Sequence, residues 1–147
     1  MKEFHGRVLF GGNWKGEAVV SHHGLNTLAS FQKSALIPTS KKIVVSDQNN
    51  PDLYKKNITG KALCLPETIG STTGGMVIET VAVRHLAPPV WLFSKTIDPL
   101  AASGIILSNV WNNVGLIAID NLGEDFLNEV KDGDKIEVKE DGTVIVY

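Results

Sequence analysis

Apolar and polar positions alternate most clearly at the end of the chain. Lys135-Ile136-Glu137-Val138-Lys139 and Thr143-Val144-Ile145-Val146-Tyr147 each show period two, and Glu140-Asp141-Gly142 between them predicts a β-hairpin turn. Upstream, Leu25 to Leu36 places Leu25, Leu28, Ala29, Phe31, Ala35 and Leu36 at helical spacing, and Pro38 follows as a stop. A second helix is predicted over 75–85, with Val77, Ile78, Val81 and Ala82 on one side and Pro88-Pro89 beyond it. Pro99 to Ser103 reads as a short helix. The runs Val90-Trp91-Leu92-Phe93 and Gly60-Lys61-Ala62-Leu63-Cys64-Leu65 predict buried strands. Gly6 to Gly12 reads as a short strand ending in a turn, and further strands are expected at 17–20, 42–45, 105–107 and 114–119. The pattern is that of a mixed α/β domain with a largely β centre, in one unit over 1–147.

Composition narrows the function classes. Hydrophobic residues make up 43% and charged residues 20%, with a net charge of −2, so no clustered basic face for nucleic acid is in evidence. No apolar run approaches a membrane-spanning length, and Met1-Lys2-Glu3-Phe4-His5 has no signal-peptide core, so a cytoplasmic protein is expected. Cys64 is the one cysteine, which forbids an intramolecular disulfide. An iron–sulfur cluster takes three or four cysteine ligands, so any cluster chemistry has to come from a second chain.

The stretch richest in chemistry is Leu63 to Gly75. A buried strand enters a loop with three glycines (Gly70, Gly74, Gly75) and the hydroxyls of Thr68, Ser71, Thr72 and Thr73, and a helix follows. Such a turn aims backbone N–H groups and a helix dipole at an anion. No lysine follows Gly74-Gly75, so the loop is not a Walker P-loop, nor does it match Gly-x-Gly-x-x-Gly. On pattern alone, it is either a generic anion site or a set of hydroxyls capping the next helix.

The order of motifs around this loop resembles the swivel domain, or small subunit, of the aconitase X family. It begins at Gly6-Arg7 and continues through Asn26-Thr27-Leu28-Ala29-Ser30-Phe31. It is densest from Asn57 to Ser103: Ile58-Thr59-Gly60-Lys61, then Gly70-Ser71-Thr72, Ala87-Pro88 and Asp98-Pro99-Leu100-Ala101, with Gly104 just beyond. The resemblance implies a swivelling β/β/α fold that closes over a larger, metal-bearing subunit. It implies a hydro-lyase that removes water from a hydroxy acid, with an iron–sulfur cluster or iron on the large subunit. Ser71 matches the serine that acts as base in aconitase-like enzymes. Gly70, Thr72, Thr73, Gly74 and, by position, Ser30 are the implied substrate contacts. Where the aconitase loop reads Gly-Ser-Ser-Arg, this chain has Thr73 in place of the arginine. Carboxylate binding then falls to backbone N–H groups, to Thr72 and Thr73, or to a cation from the large subunit. The family points to cis-3-hydroxy-L-proline or a phosphorylated mevalonate as substrate, and the lack of a basic cluster tilts the choice towards the amino acid.

The remaining polar residues suggest less. His5, His22, His23 and His85 show no metal-ligand spacing, and the rings of His22 and His23 would diverge on a strand. Asp47, Asn49 and Asn50 read equally as cleft or turn residues. Asp98 is expected to cap a helix that opens with Pro99. Arg7 is a candidate partner contact, and Arg84 falls late in a helix, where its charge suits the dipole. Two rivals remain: a non-catalytic anion-binding or regulatory module, and a phosphohistidine carrier, which would need a histidine on a Gly-rich loop.

Overall fold

The computed structural model describes residues 1–70 and 74–147. Strands β1 (Lys2–His5), β2 (Arg7–Phe10), β3 (Trp14–Val20), β5 (Ala62–Leu65), β7 (Val90–Phe93), β8 (Ile117–Asp120), β9 (Lys135–Val138) and β10 (Thr143–Val146) form one mixed sheet. Its order is β1-β10-β9-β3-β5-β7-β8-β2. β3, β5, β7 and β8 run parallel, and the rest join antiparallel. The first and last strands in this order are consecutive in the chain and separated only by Gly6, so one bent N-terminal strand pairs with both ends of the sheet. Gly6 is required at that bend, because a Cβ there would lie 2.5 Å from the Asp120 carbonyl oxygen.

Side chains of β5 and β7 explain their unbroken apolar runs. Leu63, Leu65, Trp91 and Phe93 enter a core beneath the helices, while Ala62, Cys64, Val90 and Leu92 enter a second core on the opposite face. The first core is roofed by α1 (Thr27–Leu36), α2 (Gly74–Val83) and α3 (Pro99–Ile106). Trp91, Phe31 and Phe93 form its aromatic centre, with the Trp91 indole N–H donating to the Pro88 carbonyl at 2.9 Å. Phe126 of α4 (Glu124–Glu129) packs edge-on against Phe4 in the second. Cys64 is fully enclosed there; burial, then the nearby Asp132 and Asp134, push its thiol well above the ordinary range.

The mixed α/β fold and the C-terminal hairpin agree with the sequence pattern, and Gly142 takes the left-handed backbone (φ 92°) that the turn requires. The short strand expected within 6–12 is β2, which ends at Phe10 ahead of Gly11 and Gly12. Two predicted elements differ. Lys42–Val45 is not a strand; only Val44 bridges to Asn57, while Thr59 and Ser34 hydroxyls bind the Ile43 and Val44 N–H groups. Ile105-Ile106-Leu107 is helical, because α3 runs on into a π-helical turn, Leu107–Trp111. Tertiary packing overrides the β preference of Ile105 and Ile106 here, as Gly104 seats α3 against α2. Asn109 then ties this turn to the start of β8 by exchanging two hydrogen bonds with the Leu116 backbone (2.8 and 2.7 Å). Among the described residues, no helix is long and apolar enough to cross a membrane.

Candidate functional site

Two short strands, β4 (Leu25–Asn26) and β6 (Thr68–Ile69), pair in parallel just outside the large sheet. Each leads towards a helix, and their pairing sets the base of the glycine-rich loop. Asn26 caps α1, its side-chain oxygen accepting from the Ala29 N–H at 3.0 Å. Gly70 crosses directly over that side chain with φ 106°, and a Cβ there would sit 2.7 Å from the Asn26 amide nitrogen. Both the left-handed backbone and the close approach demand glycine.

On the far side of the loop, Gly74 opens α2. The Thr27 hydroxyl donates to the Gly74 carbonyl at 3.4 Å. Gly75 lies against the backbone of Leu100 and Gly104 in α3. Asp98 completes the arrangement. Its carboxylate caps α3 through the Ala101 N–H at 3.1 Å and takes both the N–H of Thr68 (2.8 Å) and the Thr68 hydroxyl. The N-termini of α1, α2 and α3 therefore meet around the two flanks of the loop. The α3 end is already met by the Asp98 carboxylate, whereas α1, capped by the neutral Asn26, and α2 bring the positive ends of their dipoles to the same end of the fold, which favours a bound anion.

The segment before Asp98 is held from below. Asp120, fully enclosed at the end of β8, accepts from the Ile97 N–H (2.8 Å) and from Arg7 through Nε (2.9 Å) and Nη2 (2.6 Å). This two-pronged ion pair is where the structure puts Arg7, whose side chain stays more than half exposed. Beside the loop base, the carboxyl ends of the parallel strands border an open cleft of about 390 Å³ that includes His22, Glu67, Ser94, Lys95 and Asn128. Lys95 Nζ stands 3.5 Å from a Glu67 oxygen. Crevices at the carboxyl ends of parallel strands are the usual ligand sites of such sheets.

Of the sequence-predicted site residues, Gly70 and Gly74 flank the loop as described. Ser71, Thr72 and Thr73 lie outside the described residues. Ser30 is one turn beyond Thr27 on the buried face of α1; it is fully enclosed, and its Oγ has no hydrogen-bond partner among the described residues. Asp98 caps its helix as its sequence predicts. Its grip on Thr68 was not legible, since thirty residues separate the two. Asn26 and Thr27 were likewise missed as loop supports. Lys95 carries one signal in the sequence: it follows a buried strand.

The polar turn Ser46–Pro51 makes turn contacts. Asp47 accepts from the Asn49 N–H, and Asn50 caps Asp52 and Leu53 while donating to the Ser21 hydroxyl. His22 and His23 do not diverge on a strand; both sit in a turn beside Asp52, at 3.7 and 3.0 Å. Burial alone would raise that carboxyl, but the His22 N–H and the His23 ring outweigh it and hold it below the usual range. Arg84 binds the α1 carbonyls of Ala35 and Ile37 rather than its own helix end. Among the described residues no three His, Cys, Asp or Glu side chains gather as metal ligands, and Cys64 is sealed in the core, so these residues form no seat for a cluster.

Replacing Asp98 with alanine removes a helix cap and strands the Thr68 donors. The expected loss is about 2 kcal/mol, read as a lower urea midpoint with unchanged slope. An unchanged midpoint would contradict the clamp.

A family model for the aconitase X swivel domain matches residues 3–147. The phosphomevalonate dehydratase small subunit of Methanothermobacter thermautotrophicus is 30% identical over 135 residues, covering 92% of each chain. That of Methanocella arvoryzae is 29% identical over 141 residues, covering 96% of this chain and 94% of the relative. The fold matches the crystal structure of Thermococcus kodakaraensis aconitase X in its holo form, with a TM-score of 0.81 at 26% identity over 100% of this chain and 99% of the other. A UPF0107 protein solved by solution NMR shares the fold at a TM-score of 0.75 and 22% identity.

Proposed function

The chain belongs to the aconitase X swivel-domain family, and from that premise we propose that it is the small subunit of a two-chain hydro-lyase acting on a β-hydroxy carboxylate. The observation that carries the reading is the meeting of the α1 and α2 N-termini around the flanks of the loop, braced by the Asp98-capped start of α3. In this reading the substrate carboxylate rests against those N-termini and the loop contacts Gly70, Thr72, Thr73 and Gly74. They do the work that an arginine would do at position 73. Ser71 removes the proton from the carbon next to the carboxylate. The hydroxide departs from the neighbouring carbon on the large subunit's side, leaving a carbon–carbon double bond, and the proton held by Ser71 joins that hydroxide as the released water, which restores the base. The family's iron or iron–sulfur chemistry belongs to that large subunit.

A serine needs help to act as a base, because its hydroxyl is far from the pKa of an effective one. The dipoles of α1 and α2 lower the cost of the alkoxide in the same way that they favour the carboxylate. Phosphorylated mevalonate comes first among substrates, on the names of the archaeal relatives. The Lys95–Glu67 pair at the cleft favours a second reading, since opposite charges side by side suit a zwitterion such as cis-3-hydroxy-L-proline.

The test is co-expression with the cognate large subunit, followed by size-exclusion chromatography and dehydration assays on both substrates. The two chains are expected to co-elute, with activity on one of the two compounds and none from either chain alone. Separate elution, or full activity in this chain alone, would overturn the two-subunit reading.

A further inference from the structure

The outer side of α2 and α3 carries a largely apolar stripe that the loop chemistry does not use. On α2 the exposed positions are Met76, Thr80 and Val83, spaced to share one face. On α3 and its π-helical extension, Ile106 and Val110 continue such a face and Trp111 ends it. Trp111 leaves 80% of its surface open, and Met76 and Val110 leave 66% each. No residue between Asp98 and Asp120 carries a charge, in a chain that is 20% charged. Glu79 shares the α2 face, half-buried between Met76 and Val83, and puts one negative charge at its edge, while Arg84 is turned away onto the carbonyls of Ala35 and Ile37. Exposed apolar surface of this extent marks an interaction site, and tryptophan is the commonest anchor in one.

The position of the stripe selects its occupant. α2 and α3 run side by side with Gly74 and Gly75 against Leu100 and Gly104, so both helices start at the loop end of the fold. From Pro99 to Trp111 the stripe runs away from the loop for about 18 Å at 1.5 Å per residue. A chain that covers the loop to complete its site meets this face next, without a break.

We propose that this α2–α3 face is the docking surface for the large subunit, with the Trp111 indole entering a neutral, apolar pocket on it. The proposal rests on the small-subunit reading above. Both Trp111 and Ile106 are exposed, so Trp111→Glu and Ile106→Glu leave the fold intact, with melting temperatures close to that of the unaltered chain. Calorimetric titration with the cognate large subunit is expected to show association weakened about 100-fold or more by each. Trp111→Phe keeps an aromatic surface and binds within about tenfold of the unaltered chain. Leu36→Glu, at an equally exposed apolar position on α1, binds normally. Equal affinity across all four variants overturns the docking surface and leaves the small-subunit reading standing. Failure of the unaltered chain to bind the large subunit overturns that reading itself. If the chain alone forms a dimer that Trp111→Glu dissolves while large-subunit binding is untouched, the face belongs to a second copy and the proposal falls.

Discussion

Ser71→Ala in the assembled two-chain enzyme is expected to lower turnover about 1,000-fold, the middle of the range for loss of a general base. The loop would keep its glycines and the helix N-termini around it, so substrate binding should change little and the loss should fall on kcat. Co-elution with the large subunit should be unaffected, as residue 71 is not part of the α2–α3 face. The competing role for this hydroxyl is a cap on α2. A cap lost to alanine costs about 1 kcal/mol of stability and leaves turnover alone. Steady-state kinetics and thermal melting of the same preparation therefore separate the two. Turnover within a few-fold of the unaltered enzyme, with a lower melting temperature, would return Ser71 to the capping role.

Gly104→Val should be the most damaging single change to the fold's site end. A Cβ at this position would sit 2.7 Å from the Gly75 carbonyl oxygen and 2.8 Å from the Ile78 Cβ. The first of these is backbone, which has no rotamer by which to retreat. Overpacking of a buried crossing costs about 3 kcal/mol, so a fall of roughly 10 °C in melting temperature is expected for a domain of this size. Because Gly75 follows directly on the loop, the shift should also reach catalysis, and turnover should fall even at temperatures where the protein is folded. Gly115 offers the contrast. Its φ of 84° also favours glycine, but nothing lies within 4 Å of a Cβ there. Alanine at 115 meets backbone strain alone, about 1 kcal/mol. Equal melting temperatures for the two variants would show that the α2–α3 crossing is not the tight contact described.

The parts of the fold legible in the sequence are those that local chemistry decides. The hairpin was readable because Gly142 answers to a turn conformation and its flanks alternate. β5 and β7 were readable because burial on both faces leaves no polar position. The helix after Gly74 showed its apolar side, and Asp98-Pro99 announced the start of another. What failed was decided at a distance. Ile43 and Val45 are as apolar as a strand requires, yet their N–H groups go to Thr59 and Lys56 instead of to a ladder. α4 has few apolar residues beyond Phe126 and Leu127 and begins at Gly123 without a side-chain cap, so it left almost no trace. The site divides in the same way. The glycine and hydroxyl loop stands out in the sequence. The convergence of Asn26, Thr27 and Asp98 on its flanks depends on β4 and β6, two pairs of residues that find each other across some forty positions.

The bend at Gly6 sets the order in which the molecule can be completed. Residues 2–10 are synthesised about a hundred residues or more ahead of their partners, since Lys2 pairs with Val146 and Arg7 with Asp120. Until those late segments exist, residues 2–10 have no ladder to join and expose Phe4 and Phe10 without their core neighbours. The sheet thus cannot close until strands made long after β1 and β2 have arrived. Contacts of such long sequence separation make for slow folding, and a growing chain gains from a chaperone's cover over residues 2–10 until β8 and β10 have been made.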